Sequence, residues 1–98
     1  MDTHFFAYLA GIFDGEGCVG IYSIGVGKTK VLTVAVHMTE KHVVELFHQQ
    51  FGGSFYFKPR RKEHHKDQWC WVVKRSRALK AMEAMSPWLR IKRLPVEG

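Results

Sequence analysis

The sequence predicts one α+β domain in the order αββαββα, with a four-stranded antiparallel sheet that carries its helices on one face. Three observations predict it. The 98 residues suffice for a single core and hold no linker, low-complexity stretch or clear internal repeat, so residues 1–98 read as one domain. Apolar residues recur at helical spacing in some segments and alternate at strand spacing in others. Glycine pairs and polar runs separate those segments. A sheet covered on one side only leaves its second face open.

Each element has its own signal. Residues 5–14, FFAYLAGIFD, read as a helix that Gly15 and Gly17 must end. CVGIYSI, residues 18–24, is rich in β-branched and aromatic residues and is broken by Gly25-Val26-Gly27-Lys28. The next strand, about Lys30–Met38, alternates Leu32, Val34 and Val36 with Thr33, Ala35 and His37. Thr39 is the expected N-cap of the second helix, with Glu40 in its first turn. That helix carries Val43, Val44, Leu46, Phe47 and Phe51 on one face and stops at Gly52-Gly53. Ser54–Lys58 forms a third strand, and PRRKEHHKDQ a loop or hairpin tip. Trp69–Lys74 is the fourth strand. Ser76 is placed to cap a last helix with the apolar stripe Ala78, Leu79, Met82 and Met85, which Pro87 ends or kinks. Trp69, Trp71 and Trp88 read as core or edge aromatics.

Composition narrows the function classes. No apolar run is long enough to span a bilayer, and no charged segment followed by an apolar one opens the chain. A membrane role and secretion are therefore not expected. The cysteines, Cys18 and Cys70, are too few for a disulfide framework and lack zinc spacing, which fits a reducing, intracellular setting. His64-His65 has no Cys or His at ligand spacing and reads as solvated or phosphate-facing. Charge is divided unevenly. Residues 1–57 hold three Lys/Arg and five Asp/Glu, a net of −2, whereas residues 58–98 hold twelve and four, a net of +8. A polyanionic partner would account for that polarity through counterion release, and a solvated basic surface is the other reading.

The first helix is unusual for a surface helix. Phe5, Phe6, Tyr8, Leu9, Ile12 and Phe13 wrap nearly all round it, which implies burial on several sides. Ala7, Gly11 and Gly15 recur at intervals of four and line up small residues in one row. A glycine inside a helix costs about 1 kcal/mol against alanine, and close approach of another helix would compensate. Asp14 and Glu16 then fall at the negative end of the helix dipole, a placement that calls for a compensating cation.

Leu9-Ala10-Gly11-Ile12-Phe13-Asp14-Gly15-Glu16-Gly17 resembles the LAGLIDADG motif, and the element order matches the fold of the LAGLIDADG homing endonuclease family. The resemblance runs from about Phe5 to Arg93, with Glu at position 16 where the family more often has Asp. It implies a single-motif, homodimeric, site-specific endonuclease that hydrolyses double-stranded DNA with Mg²⁺ or another divalent cation such as Mn²⁺. It assigns metal binding to the Glu16 carboxylate and the Gly15 carbonyl, and implies mobility of a host intron or intein. Pairing of two chains through Ala7, Ala10 and Gly11 would bring two Glu16 side chains together, with Asp14 as a helix-end and interface residue. Pro87–Arg93 resembles the family segment whose lysine reaches the active site, which falls on Lys92; a phosphate contact or plain exposure is the alternative. Glu40 corresponds to a pocket-lining position, or serves its own helix N-terminus. A solvated loop acid is the alternative for Glu16.

Two-stranded antiparallel ribbons fit the major groove, so outward-facing strand residues are candidate base readers. They are Tyr22 and Ile24 on the first strand, Thr33, Ala35 and His37 on the second, and Tyr56, Lys58 and Arg60 on the third. Arg61, Lys62 and His64 follow at the tip, and the remaining basic residues would touch phosphates. Two other readings stand beside the nuclease. One keeps the fold without cleavage, as a DNA-binding regulator or an RNA splicing factor of the maturase type. The other is an unrelated basic αβ binding module.

Overall fold

The computed structural model describes residues 3–24, 29–59, 62 and 66–93. In chain order it contains α1 (Thr3–Glu16), β1 (Gly17–Ile24), β2 (Thr29–Met38), α2 (Lys41–Phe51), β3 (Ser54–Lys58), β4 (Gln68–Lys74) and α3 (Ser76–Met85), with a 3₁₀ turn over Ser86–Trp88. The αββαββα order and the single sheet are those the sequence predicts. The sheet is antiparallel throughout in the order β1-β2-β4-β3, and the helices pack on one face of it.

Strand register assigns the two faces. Gly17 pairs with Val36, Val19 with Val34, Val34 with Val73, Val36 with Trp71, and Phe55 with Trp71; these residues look toward the helices. There they meet Leu9, Ala10 and Phe13 of α1, Val44 and Phe47 of α2, and Ala78, Ala81, Met82 and Met85 of α3, all buried. Trp71 anchors this core: its ring lies 5.1 Å from that of Phe47, and its indole N–H donates to the Gly52 carbonyl at 2.8 Å. Trp69 and Trp88 pack half-buried against the same cluster. The whole is 22 Å through its thinnest direction, the depth of one sheet and one helical layer. Among the described residues, no helix is long and apolar enough to cross a membrane.

Several boundaries differ from the sequence expectation. Helix α1 does not stop at Asp14; it continues through Gly15 to Glu16, and Gly17 opens β1 without a loop. Gly17 is required there because a Cβ would run into the Phe13 ring. Glu40, not Thr39, is the N-cap of α2, and its side chain makes no capping bond. Arg75, not Ser76, caps α3; it adopts a left-handed φ of 58° and donates its N–H to the Leu32 carbonyl at 2.9 Å. Burial on α3 follows Ala78, Ala81, Met82 and Met85, an i, i+3, i+4, i+7 set that leaves Leu79 43 % exposed. The turn into β3 matches expectation: Gly52 and Gly53 have φ of 73° and 91°, conformations glycine adopts without strain.

Candidate active site and nucleic-acid interface

The last four carbonyls of an α-helix have no intrahelical donor, and acids there oppose the helix dipole. At the end of α1 the chain meets both conditions with a segment 76 to 78 residues away. The Asp14 carboxylate accepts the backbone N–H of Arg90 at 2.7 Å, of Ile91 at 3.0 Å and of Lys92 at 2.9 Å. The Lys92 ammonium donates to the Asp14 carbonyl at 2.9 Å. The N–H groups of Lys92 and Arg90, more than that of Ile91, hold the Asp14 carboxyl below its ordinary value of 3.8, with the Lys92 charge adding to them. Lys92, predicted by resemblance, is thus drawn to the end of the motif helix. The expected compensating cation at Asp14 is Lys92 itself, reinforced by three amides.

Glu16 ends α1 with an exposed side chain. Among the described residues it has no hydrogen-bond or ion-pair partner, and no group of three or more His, Cys, Asp or Glu comes together. Glu16 is followed by Gly17, whose strand partner is Val36; the far end of β2, with His37 and Glu40 beyond it, therefore lies at the same end of the sheet. Glu40 is exposed at the start of α2 and contributes its carbonyl, as acceptor from the Val44 N–H at 3.3 Å.

The exposed stripe of α1 consists of Tyr8, Gly11 and Gly15, with Ala7 half-buried at its edge. A Cβ added at Gly11 or Gly15 meets nothing within 4 Å among the described residues, so their packing gives no reason for either glycine. Ala10 departs from the expectation that placed it on this surface. It is fully buried in the chain's own core, because it shares a face with Phe6, Leu9 and Phe13. Asp14 likewise spends both carboxylate oxygens inside its own chain.

The second face of the sheet carries Cys18, Gly20, Tyr22, Thr29, Val31, Thr33, Ala35, His37, Ser54, Tyr56, Lys58, Gln68, Cys70, Val72 and Lys74 by register. The proposed base readers Tyr22, Thr33, Ala35, His37, Tyr56 and Lys58 are all among them, and Ile24 holds a matching register position opposite Thr29. Their accessibility differs. Tyr22 is 52 % and Tyr56 45 % exposed, whereas Ala35 is 7 % exposed, flanked by the strands on both sides. Lys62 is exposed; Arg60, Arg61 and His64 lie outside the described residues. Gln68, Cys70 and Lys74 of β4 are on this face by register but not among the residues expected there. Alternation with the core-facing Trp69, Trp71 and Val73 carried the signal for them.

One cluster stands out on this face. His37 Nδ1 lies 3.0 Å from Cys70 Sγ, and the Tyr56 hydroxyl hydrogen-bonds the same thiol from the other side. Burial, and then the Lys58 ammonium, lower the His37 imidazole below its ordinary 6.5. Burial pushes the Cys70 thiol up against the opposing influence of Tyr56 and Lys58.

With this geometry in hand, the chain can be set beside known proteins. No family model matches the sequence, and no curated protein does. Solved structures do. The chain is similar to the group I intron-encoded homing endonuclease I-CeuI complexed with DNA, with a TM-score of 0.65 at 13 % identity over 91 % of this chain and 46 % of that one. It is similar to the LAGLIDADG homing endonuclease I-GzeII in complex with its DNA target, with a TM-score of 0.61 at 13 % identity over 85 % of this chain and 28 % of that one. It also resembles the LAGLIDADG homing endonuclease I-SmaMI bound to cleaved DNA, with a TM-score of 0.54 at 18 % identity over 89 % and 30 %. The chain thus has the LAGLIDADG homing endonuclease fold and spans less than half the length of each of these structures.

Proposed function

We propose that the chain is one half of a homodimeric, divalent-cation-dependent endonuclease that cuts double-stranded DNA at a specific site. The observation that carries the reading is Glu16: an exposed carboxylate, without a partner among the described residues, at the end of a helix whose exposed stripe includes Gly11 and Gly15. A second copy seated on Tyr8, Gly11 and Gly15 would bring two such acids together, one for each DNA strand. The open sheet face, with Lys58, Lys74 and the exposed tyrosines, supplies a groove-sized ribbon pair for the duplex. DNA-bound structures of the same fold support that placement.

The donor set suits a hard cation. Glu16 and the Gly15 carbonyl would both offer oxygen, the donor atom a hard cation takes. When bound, Mg²⁺ or Mn²⁺ would lower the pKa of a water and neutralise charge on the cut phosphate. The chain's own contribution is placement. The Asp14 carboxylate gathers the 90–92 backbone, and the Lys92 ammonium sits on the Asp14 carbonyl, two residues before Glu16 in the motif helix. Its ammonium is placed to offset negative charge there.

The test is a randomised duplex library incubated with wild type and with Glu16→Gln, with and without Mg²⁺. Cleavage at one family of sites that needs both Mg²⁺ and Glu16 is the expected result. Cleavage that survives Glu16→Gln sinks the site, and sequence-specific binding without any cleavage replaces the enzyme with a regulator on the same fold.

A further inference from the structure

The contacts around Cys70 support one step beyond this reading, and the step rests on it: the open face must lie on DNA. Among the described residues, Cys70 Sγ sits between two side chains on the same rung of the sheet, since register pairs His37 with Cys70 and Tyr56 with Cys70. Both neighbours reach the sulfur, Tyr56 through its hydroxyl and His37 through Nδ1 at 3.0 Å. A phenol has one proton to donate and a thiol has one. If Tyr56 O–H donates to sulfur, the thiol proton is free to serve His37 Nδ1, and where it does so Nδ1 is the unprotonated ring nitrogen. The ring proton is left on Nε2, on the far side of the imidazole from Cys70. No other hydrogen bond to His37 is present among the described residues.

We infer that Tyr56 and Cys70 are positioning residues that lock His37 as a neutral Nε2–H donor, and that His37 thereby discriminates against a cytosine at the major-groove position it faces. Guanine N7 and O6, adenine N7 and thymine O4 satisfy a fixed donor; a cytosine 4-amino group facing it does not. An unlocked histidine offers a donor or an acceptor at the same nitrogen and discriminates less. Place follows from register. His37 adjoins Val36, the strand partner of Gly17, and Gly17 follows Glu16, so the base pair read by His37 is among those nearest the cut. Cys70 is completely buried, so its thiol acts through its neighbours and not by touching DNA.

Two measurements decide the inference. The first needs no DNA: ¹⁵N shifts of the histidine ring nitrogens in the free protein. The expected result is a His37 with pyridine-like Nδ1 and pyrrole-like Nε2 in wild type, turning into a tautomer mixture in Cys70→Ala. A wild-type His37 protonated on Nδ1 overturns the lock. The second is binding selection from the randomised duplex library. His37→Ala should lose about five- to tenfold of its preference at one base-pair position per half-site. Cys70→Ala and Tyr56→Phe should lose part of the preference at that same position and no other, with Cys70→Ser, which keeps a proton to donate, closer to wild type. Tyr56 is 45 % exposed, so Tyr56→Phe removes one oxygen without disturbing the core. Unchanged preferences in both Cys70→Ala and Tyr56→Phe, or an equal loss at every position, overturn the selective role. A wild-type protein that binds no duplex overturns the nuclease reading and the base-reading role together, and the NMR result then still decides the lock.

Discussion

Asp14 and Glu16 lie two residues apart at the same helix end, and the chain treats them in opposite ways. Asp14 accepts three backbone N–H groups, and its own carbonyl accepts the Lys92 ammonium. Glu16 is exposed and receives nothing from the described residues. Both carboxylates face the unfavourable pole of α1, yet only one is compensated from within. The difference separates two jobs that the motif compresses into three positions. Asp14 is structural: it ties the end of the chain's last described segment to the motif helix. Glu16 is left as the acid that a cation or a partner can use.

The largest expected effect breaks that contrast from the Glu16 side. Glu16→Gln should lower Mg²⁺-dependent cleavage by on the order of 10³-fold, because a neutral amide is a poor ligand for a hard cation. The melting temperature should stay at the wild-type value, since Glu16 bonds to nothing among the described residues. A marked loss of stability in Glu16→Gln would show that the acid has a structural partner after all.

Asp14→Asn should do the reverse in stability and still impair chemistry. An amide cannot accept three N–H groups as a carboxylate does, so the melting temperature falls. The amides of Arg90, Ile91 and Lys92 should exchange with solvent faster. Cleavage should drop by about 10²-fold through misplacement of Lys92. Acid sharpens the test. The folded Asp14 carboxyl titrates below its ordinary value of 3.8, so its contribution to stability is complete at neutral pH and holds while pH stays above that value. It is lost as pH falls through the lower, folded value. Urea melts should therefore show a wild-type advantage over Asp14→Asn that is constant from neutral pH down to the ordinary carboxylate range and shrinks below it. An advantage independent of pH would assign the effect to packing instead of charge. Lys92→Met keeps the stem and removes the ammonium; it should cost about tenfold in cleavage, with Lys92→Arg recovering part of it.

How much of this was legible in the sequence depended on range. Alternation placed Val34 and Val36 against the helices and Thr33 and His37 on the opposite face, because period-two patterning is local. The same rule applied to β4 would have put Cys70 and Lys74 on the open face. The helix end differs from expectation because glycine is a stop signal in sequence. Here Gly15 stays helical, and Gly17 owes its identity to the Phe13 ring, a contact that only the fold creates. The clamp between Asp14 and residues 90–92 has no local signature at all, since its donors are backbone amides 76 to 78 residues distant. The small residues of α1 look alike in sequence, yet Ala10 faces inward while Gly11 faces out; spacing of one residue turns a helix position by 100° and exchanges core for surface.

Gly11 provides the smallest and most discriminating test, because its two possible environments predict opposite signs. A Cβ at Gly11 touches nothing among the described residues, so Gly11→Ala should stabilise the isolated fold by up to about 1 kcal/mol through helix propensity. Across an interface between two α1 helices the same methyl would hold the backbones apart, and self-association should weaken by about tenfold or more. Urea melts at low concentration measure the first effect, and sedimentation equilibrium the second. A variant that is more stable and pairs less well places the second copy on the glycine stripe. One that pairs as tightly as wild type removes the stripe from the interface and leaves each Glu16 without the partner acid that the proposed chemistry needs.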